Sequence, residues 1–247
     1  MKPNNLSVII MAGGKGTRMK SELPKVLHKL GGQPLLSYSL DLAKELEAHN
    51  IIIIVGYKAD QVRQVYAARP ELSFALQEPQ LGTGHAVMMA APFLEKSSGP
   101  VLILSGDVPG LKLATLQNML DRHIKQGHDL TVLAMQPDDP AAYGRLVTDG
   151  ERLLRIIEYR DASAEERNIR LVNAGIYLVQ SPALLAGLPT LNTNNDQQEY
   201  YLTDLVEIMN HSNYKVGYAL CSDPMEVAGV NSQEELKALE QILKGVN

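Results

Sequence analysis

Between Ile10 and Lys25 the chain reads Ile-Met-Ala-Gly-Gly-Lys-Gly-Thr-Arg-Met, then reaches Leu23-Pro24-Lys25. An apolar run from Leu6 to Met11 stops abruptly at Gly13, Gly14 and Gly16, as a buried strand does on entering a tight loop. Glycine lets the backbone turn sharply and brings its N–H groups close to a ligand. Successive amides in such a loop make an anion cradle. Arg18 and Lys25 add two fixed positive charges nearby, and the combination suits a polyphosphate.

Two familiar phosphate loops fail on spacing. A Walker loop needs four residues between its first glycine and Gly-Lys-Ser/Thr, which the chain lacks. A dinucleotide fingerprint needs a third glycine where Met19 stands. What remains, Gly-x-Gly-Thr-Arg-Met with Pro-Lys following, resembles the signature of sugar-nucleotidyltransferases.

Other chemistry-bearing residues follow further along. Asp107 comes directly after the apolar run Val101–Leu104 and Ser105-Gly106, where a carboxylate is placed to hold Mg²⁺ or to cap a turn. Gln77 and Gln80 lie in Gln77-Glu78-Pro79-Gln80-Leu81-Gly82-Thr83-Gly84-His85; their amides offer a donor and an acceptor together, matching the edge of uracil. Thr83 reads as an N-cap and His85 as a helix-start residue. Gly144, Glu158 and Asn173 stand at or near strand-like segments, where a backbone N–H, a carboxylate and an amide would suit sugar hydroxyls and an N-acyl group. They read equally as a bulge, a strand end and a turn. Glu199 to Asp204 reads as the start of a helix.

The elements that must position these residues alternate in the first half. Val8–Met11, Ile51–Val55 and Val101–Leu104 are short, β-branched runs typical of buried parallel strands, with helical spacing over Leu35–Leu46 and Thr83–Leu94 between them. Ligands of such sheets sit beyond the carboxyl ends of the strands, which puts the glycine loop and Asp107 at one edge. Leu130–Met135, Gly144–Val147, Leu153–Glu158 and Leu171–Val179 read as strands with little helix between them, an antiparallel extension. Ser232-Gln233-Glu234-Glu235 fits a capping box before a last helix with Leu236, Leu239, Ile242 and Leu243 on one face. The expected fold is α/β and Rossmann-like: a mostly parallel sheet flanked by helices with a smaller antiparallel sugar-binding extension.

In order and spacing these motifs resemble the uridylyltransferase domain of bacterial N-acetylglucosamine-1-phosphate uridylyltransferases, from about Leu6 to about Ser232. The resemblance implies a nucleotide-diphospho-sugar transferase fold and attack of N-acetylglucosamine 1-phosphate on UTP, with Mg²⁺ as cofactor. It implies that Ala12, Gly13, Gly14, Gly16, Thr17 and Arg18 wrap the triphosphate, and that Arg18 and Lys25 are catalytic. Gln77, Gln80 and Gly82 would read uracil, Thr83, Gly144, Glu158, Asn173 and Glu199 would line the sugar pocket, and Asp107 and Asn231 would hold the metal. Ser105 departs from the tyrosine of the best-known members. Those members continue into a β-helix acetyltransferase domain; residues 1–247 carry no hexapeptide repeat and read as one nucleotidyltransferase domain. Two alternatives share the motifs: transfer to another sugar 1-phosphate, and a non-catalytic nucleotide-sugar sensor.

Composition bounds the rest. With 45% hydrophobic residues, 21% charged and a net charge of −5, the chain has material for a core but no basic block, which argues against nucleic acid or a membrane surface as partner. A lone cysteine excludes an internal disulfide, and the start at Met1–Asn5 leads into an apolar run too short for a signal core. The expected location is the cytoplasm; composition leaves the oligomeric state open.

Overall fold

The computed structural model describes residues 5–245; Met1 to Asn4 and the side chain of Leu243 lie outside the described residues. Nine strands form one sheet: β1 (Ser7–Ala12), β2 (Asn50–Val55), β3 (Leu72–Leu76), β4 (Pro100–Ser105), β5 (Leu130–Met135), β6 (Arg145–Asp149), β7 (Arg152–Ile157), β8 (Val172–Gln180) and β9 (Val216–Leu220). Their order is β3-β2-β1-β4-β8-β5-β9-β7-β6, with β8 also touching β6. β3, β2, β1 and β4 are parallel. β8 then runs antiparallel to both β4 and β5, and β6 pairs with β7 as a hairpin.

The parallel strands are buried on both faces because helices cover both sides. Alternate residues of β1 divide between two cores: Val8, Ile10 and Ala12 face one, Ile9 the other. On the first side pack α1 (Leu35–Glu45), α2 (Ala59–Val65) and α4 (Leu113–Gln126) through Leu36, Val62 and Met119. On the second lie α3 (Thr83–Ala90), α5 (Ser181–Gly187) and α6 (Leu205–His211) through Val87, Leu184 and Val206. Each such aliphatic side chain contributes roughly 1.5–3 kcal/mol by leaving water. No helix of the described residues is long and apolar enough to cross a membrane.

The last helix, α7 (Gln233–Gly245), packs Leu236 and Leu239 against Leu30, Leu35 and Val230, whereas Ile242 stays half-exposed. Its capping box is shifted by one residue. The Glu235 N–H donates to Ser232 Oγ at 3.1 Å, but the Glu235 carboxylate accepts from the Asn231 N–H at 2.7 Å.

Three expectations need correction. β3 and β9 escape the sequence pattern; β9 lies parallel to β5, so the extension is mixed and continuous with the main sheet. Thr83 is the first residue of α3 rather than its cap, which is Gly82. Glu199 and Tyr200 are not helical: a short 3₁₀ turn covers Leu202–Asp204 and α6 begins at Leu205.

Candidate functional site

Chain direction puts the ends of β1, β3 and β4 at one edge, and the loops leaving them build a cleft of about 470 Å³. Ala12, Gly13, Gly14, Gly16, Thr17, Arg18, Lys25, Gln77, Gln80, Gly82, Thr83, Asp107, Glu199 and Asn231 all line it. Gly16 has a φ of 60°, and a Cβ there would stand 2.6 Å from the Lys25 Cβ, so conformation and space both demand glycine. The turn Thr17–Met19 is anchored by the buried Met19 and leaves Arg18 exposed at the cleft.

The glutamine side of the cleft is preset. Gln77 is buried and its Nε2 donates to the Gly82 carbonyl at 2.9 Å, while its Oε1 stands 3.1 Å from where a Gly13 Cβ would be. Gln80 Nε2 lies 2.7 Å from where a Cβ on Gly56 would stand, which makes Gly56 a supporting residue that the motif reading passed over. The signal was present: Gly56 follows β2 as Gly13 follows β1, and the Tyr57 N–H donates to the Gly13 carbonyl at 3.0 Å.

On the opposite wall Asp107 and Asn231 converge on one cation, the Lys25 ammonium. Lys25 pairs with the Asp107 carboxylate and donates to Asn231 Oδ1 at 2.7 Å. The Asn231 amide is oriented by its own Nδ2, which donates to the Gly229 carbonyl at 2.9 Å. Asp107 is tied to the same loop by the Val230 N–H, which donates to its main-chain carbonyl. Among the described residues no cluster of three or more His, Cys, Asp and Glu side chains forms. One carboxylate and one amide oxygen already gathered round a positive charge are a donor set that fits Mg²⁺, which completes its shell with phosphates and water.

Gly144, Glu158 and Asn173 do not line the cleft. They form a second cluster, in which the Asn173 N–H donates to the Gly144 carbonyl at 2.9 Å and the Thr203 hydroxyl donates to Glu158 Oε1 at 3.1 Å. Asn173 Nδ2 donates to the Tyr177 hydroxyl at 2.7 Å, and its Oδ1 accepts from the Gly175 N–H. A bulge in β8 between Asn173 and Tyr177, with Gly175 at a φ of 74°, turns these two side chains together. Tyr177 was missed because an aromatic in a strand reads as core.

Burial raises the Glu158 pKa above its ordinary value; the Thr203 hydroxyl opposes this and nearby Asp204 and Asp161 add to it. Asp204 is itself raised to about 6 by burial and by Glu207 and Asp161.

The segment before α6 stitches the two clusters. The Gly84 N–H donates to the Tyr200 carbonyl at 2.7 Å, the Tyr200 N–H to Leu81, and the Leu202 N–H to Thr83 Oγ1. A larger hollow of about 610 Å³ adjoins the cleft at Arg18 and Asn231, but Met225, Leu239 and Ile242 make its wall apolar. The polar groups suited to phosphate lie in the smaller cleft.

Comparison with known proteins gives the following likenesses. The chain is 42% identical over 243 residues to the bifunctional protein GlmU of Geotalea uraniireducens, covering 98% of this chain and 53% of that one. It is 45% identical over 239 residues to the bifunctional protein GlmU of Trichlorobacter lovleyi, covering 96% and 52%. The chain thus spans about half the length of the curated relatives it matches. Its fold resembles a crystal structure described as a glucose-1-phosphate thymidylyltransferase from Bacillus anthracis in complex with sucrose, with a TM-score of 0.74, 17% identity, and 98% and 96% of the two chains covered. Residues 8–198 match the MobA-like NTP transferase domain, and the chain belongs to that family.

Proposed function

We propose that the chain joins UTP to N-acetylglucosamine 1-phosphate, giving UDP-N-acetylglucosamine and pyrophosphate. The observation that carries the reading is the convergence of the glycine loop, the paired glutamines and the Lys25–Asp107–Asn231 group on one cleft. The likeness to GlmU proteins over nearly the whole chain supports it.

A phosphate oxygen of the sugar phosphate attacks the α-phosphorus of UTP, and the bond from that phosphorus to the bridging oxygen breaks. The electron pair leaves with pyrophosphate. The nucleophile is already anionic at neutral pH, so no general base is required. The chain supplies position and charge, the usual balance for phosphoryl transfer. Loop amides from Gly13 to Gly16 hold the triphosphate, and Arg18 and Lys25 neutralise the departing pyrophosphate. Gln77 and Gln80 read uracil against the Gly82 turn. Asp107 and Asn231 would hold a Mg²⁺ ion, which when bound offsets charge on the phosphate oxygens. Gly144, Glu158, Asn173 and Glu199 select the N-acetylated sugar. A chain with a single buried thiol suits a reducing cytoplasm.

Pyrophosphate release tests this with Mg²⁺ present, pairing each nucleoside triphosphate with N-acetylglucosamine 1-phosphate and with glucose 1-phosphate. Turnover confined to UTP and the N-acetylated sugar is expected. Preference for the plain sugar would discard the roles of Glu158 and Asn173 while keeping the nucleotide cleft. UTP binding with no release from any pair would leave a sensor.

A further inference from the structure

Lys25 has two jobs that it cannot do at once. In the proposed reaction its ammonium belongs on the phosphates. In the free chain it is bound to the Asp107 carboxylate and, at 2.7 Å, to Asn231 Oδ1. Its position there is not that of a loose surface lysine: the side chain is 13% exposed and Asp107 22%. Its stem passes against Gly16, where a Cβ would stand 2.6 Å from the Lys25 Cβ. The residues that supply these oxygens are held from behind: the Asn231 side-chain amide donates to the Gly229 carbonyl and its main-chain N–H to the Glu235 carboxylate, and the Asp107 main-chain carbonyl accepts from the Val230 N–H.

An ammonium and a divalent ion cannot share the same two oxygens, because like charges in contact repel strongly. We infer that Lys25 is an internal placeholder for the divalent cation, and that it makes cation binding conditional on the nucleotide. The polyphosphate draws the ammonium off Asp107 and Asn231, and the oxygen pair becomes available as the phosphates that complete the metal shell arrive. The free chain therefore binds divalent cations weakly although its ligands are already assembled. The inference rests on the assignment of Asp107 and Asn231 as the cation ligands.

Mn²⁺ alone is the probe, with bound ion counted by electron paramagnetic resonance in the absence of nucleotide. Lys25→Met keeps the length of the stem and removes the charge, and should bind Mn²⁺ at least tenfold more tightly than the wild type. Adding Asp107→Asn to that variant should abolish the gain and so locate the ion. Equal or weaker Mn²⁺ binding by Lys25→Met would overturn the placeholder role.

A wild-type measurement keeps the idea falsifiable should Lys25→Met fail to fold. The ¹⁵N-detected ammonium resonance of Lys25 should shift when UTP is added without metal, and an unmoved resonance would overturn the inference. Pyrophosphate release by the wild type separates the two readings. Turnover without tightening in Lys25→Met removes the placeholder and keeps the reaction; tightening without turnover does the reverse.

Discussion

The two clusters solve recognition in opposite ways. At the parallel edge, besides the bonded Lys25–Asp107–Asn231 group, the glycine loop offers its backbone and the exposed Arg18, positioned by a glycine turn and the buried Met19. In the antiparallel half the groups are side chains, and they are already bonded to one another: Thr203 to Glu158, Asn173 to Tyr177. A preset backbone loses little on binding, whereas a bonded network must exchange partners for those of the ligand. In the proposed reaction, the first design would favour catalytic power on a constant feature, the triphosphate. The second would favour discrimination in that reaction, since a sugar that cannot replace the lost bonds leaves buried polar groups unpaired.

The sharpest way to break this contrast is Arg18→Ala. It should lower kcat by roughly a hundredfold or more, the cost of removing a stabiliser of developing charge, while the KM for the sugar phosphate stays close to wild type. Steady-state kinetics decide it, and a wild-type kcat would remove Arg18 from the chemistry.

Acid offers the next test, because buried groups pull in opposite directions. Burial, with repulsion from His128, lowers the His123 pKa to about 4 from 6.5. The unfolded chain therefore takes up this proton first, and stability falls as pH drops from about 6.5 toward 4. The loss is about 2 kcal/mol between pH 7 and pH 5. Asp204 acts against it: with a folded pKa raised to about 6, the folded chain binds the proton first and gains stability over the same window. Asp204→Asn should thus steepen the acid loss, seen as a larger drop in urea midpoint between the two pH values. A slope equal to that of the wild type would show that Asp204 does not titrate there.

Smaller effects sharpen the comparison within the sugar cluster. Asn173→Ala should raise the KM for N-acetylglucosamine 1-phosphate about tenfold, the equivalent of one buried hydrogen bond, with UTP affinity within about twofold. Thr203→Val leaves Glu158 without its hydroxyl donor. It should weaken the same KM by only about three- to fivefold, because a hydrogen bond exchanged with the ligand contributes little net. Calorimetric titration of UTP against each variant checks that the nucleotide cleft is untouched.

The same contrast explains what could be read in advance. The glycine loop and Asp107 follow strands directly, and Arg18 and Lys25 stand in short turns soon after β1, so their chemistry is local in sequence and the cleft was legible from spacing. β1, β2 and β4 were legible too, because a strand buried on both faces is a continuous apolar run. Val216–Leu220 hides because it is short, carries Gly217, and takes its strand state from pairing with β5, more than eighty residues back, and with β7. Tyr177 hides because only a bulge makes it face Asn173. Glu199 looks helical from its neighbours, yet the main chain of Tyr200 is bonded to Leu81 and Gly84 instead of within a helix. Asn231 was reachable only through family likeness, since nothing local marks a loop asparagine as the partner of Lys25, 206 residues away.

That Tyr200 grip has a thermodynamic consequence. The strip that carries Glu199 and Thr203 hangs from the loop that carries Gln80 and Gly82, by main-chain bonds on both sides of Tyr200. Whatever orders one of these segments stiffens the other. If the chain carries out the proposed reaction, binding free energy would be shared between UTP and the sugar phosphate: each should raise the other's affinity by the same factor, as linkage requires, with the seam at Tyr200 setting that factor.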